Sequence, residues 1–208
     1  MLKINEMFPA IQGEGSTSGK PVYFIRLSGC NAECDFCDTK YHRYGKNISN
    51  REVIKSINKS ELKNIVITGG EPLLQMDDVS ELMLSLPNKR FYLETNGSLY
   101  HQAVGNFKKI SCSPKKELIR NNIESYHKFN TLKQTTFKFV YEHEYNYWWM
   151  NFIDKLKIEN DRVWIMPEGA TKKKQLEKMP EVINYCLKNK FNFSPRLHVL
   201  AFDTKRKV

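Results

Sequence analysis

The chain has 208 residues, a formal charge of +10, and 40% hydrophobic and 27% charged side chains. That length suits one domain with a sizeable core, and no run approaches the roughly 18 apolar residues that would span a bilayer. The opening MLKINEMFPAIQGEG has no apolar stretch of the secretory type, so the expectation is a cytoplasmic protein, in a compartment where cysteines bind metal or react more often than they pair.

Taken in order, the chain repeats one unit: a β-branched or aromatic run followed by a glycine- or proline-bearing turn. The runs are PVYFIRLSG (21–29), NIVITGGEP (64–72), RFYLETNG (90–97), KKISCSPK (108–115), TFKFVYE (136–142) and RVWIMPEG (162–169). Each has the length and composition of a strand. Helical periodicity occupies SNREVIKSINKS (49–60), DDVSELMLSL (77–86) and residues 143–158 and 171–190. The first follows plausible cap residues, and the second opens on two acids suited to a helix N-terminus. Strands alternating with helices predict parallel βαβ units. Six strands predict an open doubly wound sheet or an incomplete barrel, since a full eight-fold barrel takes about 250 residues. No repeat, low-complexity tract or Gly/Pro/Ser linker divides residues 1–208, so a single domain is expected.

In either architecture the chemistry gathers at the C-terminal ends of the strands. Here those ends read SGC, TGGEP, ETNG, CSPK and MPEG, a concentration of glycine, carboxylate and hydroxyl groups that predicts one site built from several strands. Arg26 stands out within its own strand. In VYFIRLS it shares a face with Phe24 and Ser28, opposite Tyr23, Ile25 and Leu27, and a guanidinium on a buried face needs an anionic partner. A substrate carboxylate or a neighbouring acid would serve.

Five cysteines are present. Cys112 and Cys186 are isolated and read as small core residues. Cys30, Cys34 and Cys37 form C-x3-C-x2-C with no fourth cysteine nearby. Thiolates suit zinc and iron–sulfur clusters. His42 could close a Cys3His zinc site; the alternative is a [4Fe–4S] cluster with one iron left for an outside ligand. Gly69 and Gly70 would let the backbone approach a bound ligand closely, and Glu71 could accept hydrogen bonds from it.

C-x3-C-x2-C with Phe36 before the third cysteine, followed at the next strand end by TGGEP, resembles the radical S-adenosylmethionine superfamily. The resemblance implies that the cofactor's methionyl amino and carboxylate groups chelate the open iron, and that one-electron reduction yields a 5′-deoxyadenosyl radical. It extends over most of the chain. FPAIQGEGSTSGKPVYFIRLSGCNAECDFCDTKY, VITGGEPLLQ, LETNGS, SCSPK, KFV, VWIMPEG and the late RLH are similar to the 7-carboxy-7-deazaguanine synthase (QueE) family. That family implies a partial (β/α)6 TIM-like barrel of the radical SAM type and a homodimer. It implies a carbon–nitrogen lyase of queuosine and 7-deazapurine biosynthesis. Such an enzyme converts 6-carboxy-5,6,7,8-tetrahydropterin to 7-carboxy-7-deazaguanine with release of ammonia, helped by Mg2+ and an electron donor such as flavodoxin.

Position by position, the resemblance assigns Cys30, Cys34 and Cys37 to the iron–sulfur cluster. It assigns Phe36, Cys37, Asp38, Gly70, Glu71, Glu94, Ser113, Pro114, Lys115 and Met166, Pro167, Glu168 and Gly169 to S-adenosylmethionine. Ile11, Gln12, Gly13, Arg26 and Thr68 are assigned to the substrate, and Thr39 to magnesium, which accepts a neutral hydroxyl when waters and substrate oxygens complete its shell. Asn96 reads equally as a cofactor contact or a helix cap. Arg196 and His198 are placed on a late strand, and Trp148 and Trp149 in a helix as packing or dimer surface. The tail FDTKRKV matches the family poorly, and none of its residues is assigned.

The basic charge is spread along the chain. Its densest runs, TKKKQ and TKRKV, are short and lack interleaved aromatics. This is the pattern of a solvated surface, or of a field drawing in an anionic small molecule, and neither nucleic acid nor membrane is expected as a partner. Two other readings remain at this level: a small radical SAM activating enzyme acting on a protein glycine, and a zinc-stabilised RNA-binding module.

Overall fold

The computed structural model describes residues 1–33, 43–142 and 148–208. All six apolar runs are strands, and all six are parallel. They are β2 (Pro21–Leu27), β4 (Asn64–Gly69), β5 (Arg90–Thr95), β6 (Lys109–Cys112), β7 (Thr135–Tyr141) and β8 (Val163–Pro167). Each stops one to three residues short of the end of the run that predicted it, because the trailing glycines, prolines and acids form the loops over the sheet.

Among the described residues, three further strands complete the sheet. β1 (Leu2–Ile11) pairs antiparallel with β2 and with the short β3 (Lys46–Ile48), while the two-residue β9 (Asn192–Phe193) adds to β8. The order is β3-β1-β2-β4-β5-β6-β7-β8-β9, and the two edges do not pair, so the barrel stays open. β1 escapes a reading by apolar runs because Asn5, Glu6 and Pro9 interrupt it.

The helices are α1 (Asn50–Lys59), α2 (Met76–Leu84), α3 (Lys116–Thr131), α4 (Trp148–Leu156), α5 (Lys172–Asn189) and α6 (Leu197–Phe202). α1 begins in a capping box: the Glu52 N–H donates to Ser49 Oγ, and the Ser49 N–H donates back to Glu52, satisfying two orphan donors together. α3, polar and uneven in periodicity, has no counterpart among the predicted helices. The connection from β5 to β6 carries only a short 3-10 turn over Gln102–Asn106. The late strand expected around Arg196 and His198 is instead the start of α6, with Arg196 at the capping position. Strand β9 has ended by Ser194-Pro195, and the Leu197 N–H donates to Gly13 O at 3.0 Å.

Two apolar groupings lie on opposite faces of the sheet. Tyr23, Ile25 and Leu27 belong to the large core that includes Ile57 of α1, Leu82 of α2, Phe129 of α3 and Val182 of α5. Val22 and Phe24 face the other way and meet Val66 and Tyr92, with Phe8 stacked on Phe24 at 5.4 Å between ring centroids. This period-two division is what the strand pattern of β2 requires. Cys112 and Cys186 are buried, as expected, and burial raises both thiols, that of Cys186 to about 11. Trp149 is buried against Phe139, which makes it packing. No helix among the described residues is long and apolar enough to cross a membrane.

Candidate active site

Above the small apolar layer on the inner face, the side chains turn polar. Glu6 on β1 lies opposite Arg26 on β2, and Arg26 is in register with Thr68 on β4. Thr68 Oγ1 donates to Glu94 Oε2 on β5 at 2.9 Å, and Glu94 is in register with Ser111 on β6. One transverse row of polar groups therefore crosses five strands, near the C-terminal ends of the four parallel ones. Its Glu6, Arg26, Thr68 and Glu94 form part of the wall of a cavity of about 700 Å³.

The five residues assigned to substrate, Ile11, Gln12, Gly13, Arg26 and Thr68, all line this cavity. Ile11 is half exposed at its mouth. Gln12 is buried, and its Nε2 donates to Glu94 Oε1 at 2.8 Å. Glu94 thus bridges Gln12 and Thr68, two substrate positions. It groups with them rather than with the cofactor positions to which the resemblance assigned it. Arg26 does have an anionic partner within the chain: its Nε donates to Glu6 Oε1 at 2.9 Å.

Gly70, Ser113, Lys115 and the segment Met166 to Gly169 line the same cavity, as does Cys30. Two assigned residues among the described ones do not line it. Pro114 is buried outside the cavity wall. Glu71 has no exposed surface. Its carboxylate accepts the Leu73 N–H at 3.0 Å, the Thr95 hydroxyl at 2.7 Å and the Asn96 N–H at 2.7 Å. Burial nevertheless raises its carboxyl against these hydrogen bonds. Glu71 is a strut joining two strand-end loops, with no face left for an ammonium group. Cys34, Phe36, Cys37, Asp38 and Thr39, together with His42, lie outside the described residues.

The glycine pair also meets a packing demand. A Cβ on Gly70 would lie 1.8 Å from Gly29 O and 3.0 Å from Cys30 Cβ, and one on Gly69, where φ is +136°, would lie 2.2 Å from Leu27 O. These glycines admit the neighbouring strand end. The Gly70 N–H donates to Leu27 O at 3.1 Å and the Glu71 N–H to Gly29 O at 2.9 Å. Asn96 completes the clamp: its Nδ2 donates to Asn31 Oδ1, and the Asn31 Nδ2 donates to Ser98 Oγ, each at 2.9 Å. Asn96 caps no helix. TGGEP and ETNGS therefore grip the chain immediately on both sides of Cys30. That half-buried thiol faces the cavity at the head of the cysteine loop, which fits a thiolate ligand held in fixed register.

Sequence reasoning missed a buried ion cluster at the far wall. Glu14 of QGEG bonds Lys138 Nζ at 2.6 Å and Arg196 Nε at 3.0 Å, with His198 Nε2 at 3.9 Å. Burial pushes the Glu14 carboxyl up, but Lys138, Arg196 and His198 outweigh it and hold the group well below the usual carboxylate range. Arg196 Nη1 also donates to Gly169 O at 3.1 Å, and Gln175 Nε2 donates to Gly169 O at 2.7 Å. The cluster thus ties QGEG to MPEG. Lys138 was legible in principle: it interrupts TFKFVYE as Arg26 interrupts VYFIRLS.

Because Glu14 neutralises two poorly exposed cations, E14Q should destabilise the fold by about 3 kcal/mol at pH 7. A lowered native pKa means this stability is present above the unfolded value and is lost as pH falls. The gap between wild type and E14Q should therefore narrow below pH 4.5, by about 1.4 kcal/mol per pH unit. Urea unfolding at pH 7 and pH 3.5 measures both; a gap that does not change with pH would remove the ionic role.

The family profile of the radical SAM superfamily matches residues 24–135, more than half of the chain. The 7-carboxy-7-deazaguanine synthase of Hyperthermus butylicus is 34% identical over 227 residues, spanning 97% of this chain and 93% of that one. The chain belongs to the 7-carboxy-7-deazaguanine synthase family. The family member of Aquifex aeolicus is 31% identical over 221 residues, with 99% and 95% coverage. In fold, the crystal structure of QueE from Escherichia coli superimposes with a TM-score of 0.71 at 23% identity, covering 95% of this chain and 94% of that one. The open, mixed sheet is thus the partial barrel of this family. Membership sets aside the activating-enzyme and zinc-module readings, and brings with it a [4Fe–4S] cluster and S-adenosylmethionine.

Proposed function

We propose that this chain is the lyase that converts 6-carboxy-5,6,7,8-tetrahydropterin to 7-carboxy-7-deazaguanine with release of ammonia. Beyond family membership, the observation that carries the reading is the shared cavity. It joins Cys30, the cofactor-assigned strand ends and a polar row containing Arg26, Thr68 and Glu94. Its volume of about 700 Å³ is in the range of small-molecule sites, roughly 300–1,000 Å³.

Cys30 would hold the cluster together with Cys34 and Cys37, and Ser113, Lys115 and Met166 to Gly169 would flank S-adenosylmethionine. When bound, cluster and cofactor supply one-electron chemistry that starts the rearrangement of the substrate. The chain's own groups orient that substrate. The Thr68 hydroxyl donates to Glu94, so it presents lone pairs to a pterin N–H. Arg26 offers the substrate carboxylate a charge-assisted contact. Phe8 and Phe24 form an apolar floor that keeps water from the ring. A neutral hydroxyl at Thr39, with substrate oxygens and waters, suits Mg2+.

The one sheet through the described residues supports a single domain for 1–208. Homodimerisation, a flavodoxin-like reductant and a cytoplasmic location complete the reading. Anaerobic incubation with reductant, S-adenosylmethionine, Mg2+ and the carboxytetrahydropterin should yield the deazapurine and an equivalent of ammonia. No product from protein with an intact cluster would overturn the substrate assignment.

A further inference from the structure

The mouth of the cavity holds a charge arrangement that the strand-end motifs do not explain. The Glu6 side chain is only 5% exposed. Its Oε1 accepts the Arg26 Nε–H at 2.9 Å, while Oε2 accepts from Arg206 Nη2 at 3.1 Å and lies 3.6 Å from Lys207 Nζ. Arg206 and Lys207 belong to the tail after α6, which turns back across the cavity and lines it. Three cations from the two ends of the chain therefore share one carboxylate.

The two guanidinium groups, both held by Glu6, converge beside the Phe8 and Phe24 floor of the cavity. An incoming carboxylate is favoured there over a neutral group. A guanidinium fits a planar carboxylate better than an ammonium does, which singles out Arg206 over Lys207.

We propose that Arg206 is a specificity-determining residue. With Arg26 it forms a two-guanidinium clamp for the substrate carboxylate, and Glu6 is the positioning residue that holds both arms beforehand. The strand supplies the fixed arm and the tail the movable one, 53% exposed at its side chain. Occupancy of the clamp then holds the tail in place across the cavity. This inference rests on the carboxypterin reading of the site.

Calorimetric binding of 6-carboxypterin and of pterin lacking the carboxylate to the anaerobic holoenzyme tests it. Wild type should prefer the carboxylated ligand. R206M should lose at least ~10-fold in affinity for it, the order of one charged hydrogen bond, with pterin binding unchanged, and R206K should recover part of the loss. K173M, which removes an equal charge from an 86% exposed side chain on α5, should bind both ligands as wild type does. If R206M keeps the wild-type preference, or loses both ligands equally, the clamp is wrong while the functional reading stands. If wild type does not distinguish the two ligands, the carboxypterin reading falls and the clamp with it.

Discussion

Gly70→Ala should impair cluster assembly and turnover without unfolding the barrel. The added methyl would lie 1.8 Å from Gly29 O, 2.5 Å from Gly29 C and 3.0 Å from Cys30 Cβ. Two of these are backbone atoms with no rotamer to give way. The strand end must therefore move, straining the Gly70 N–H to Leu27 O and Glu71 N–H to Gly29 O bonds and displacing Cys30. Overpacking of this kind costs about 1–3 kcal/mol, which a sheet of this size survives. A displacement of the order of 1 Å at a reacting centre can cost ~100-fold in rate. Iron and sulfide per chain after anaerobic reconstitution should fall by at least about half, turnover should fall by about 100-fold, and far-UV circular dichroism should hold. Normal iron content and turnover would show that the contact between the glycine pair and Cys30 has no functional weight.

Arg26→Ala should lower kcat/KM for the carboxylated pterin by at least ~100-fold. Two hydrogen bonds to a charged partner are together worth about 3 kcal/mol or more, and 1.4 kcal/mol is a factor of about 10. The fold should tolerate the change because Glu6 keeps its contacts with Arg206 and Lys207. Steady-state kinetics with matched cluster content decide the matter, and near-normal turnover would sink the carboxylate clamp. The ion pair with Glu6 does not argue against the role. A buried guanidinium needs a counter-charge before the substrate arrives.

The two substitutions show different degrees of legibility. Arg26 could be found in VYFIRLS because one charge in an apolar strand contradicts the local pattern, and such contradictions concentrate at functional sites. Gly70 was found by its motif, but the packing demand it meets was not. That TGG admits a neighbouring strand end depends on β2 and β4 being adjacent and parallel, a fact of pairing rather than of composition. Glu71 shows the same limit. A carboxylate in a glycine-rich loop reads as a ligand until the fold encloses it with Thr95 and Asn96.

What escaped the sequence altogether depends on contacts between distant segments. Glu6 lies on a strand broken up by Asn5 and Pro9, and its importance appears only when Arg206, 200 positions away, folds back onto it. Glu14 lies 182 positions from Arg196. α3 was missed because its mixed face satisfies the core through few residues, Tyr126 and Phe129 among them.

By itself, then, the sequence determined the six parallel strands, and its resemblance to the family supplied the radical chemistry and a part of the cavity-lining positions. The strands are carried by local periodicity, and the rest by motifs of closely spaced groups. Only the tertiary structure decided which charges neutralise one another, which glycines make room for backbone, and that the basic tail belongs to the site. Ion pairing and close packing are set by distance in space, and a sequence orders residues along the chain alone.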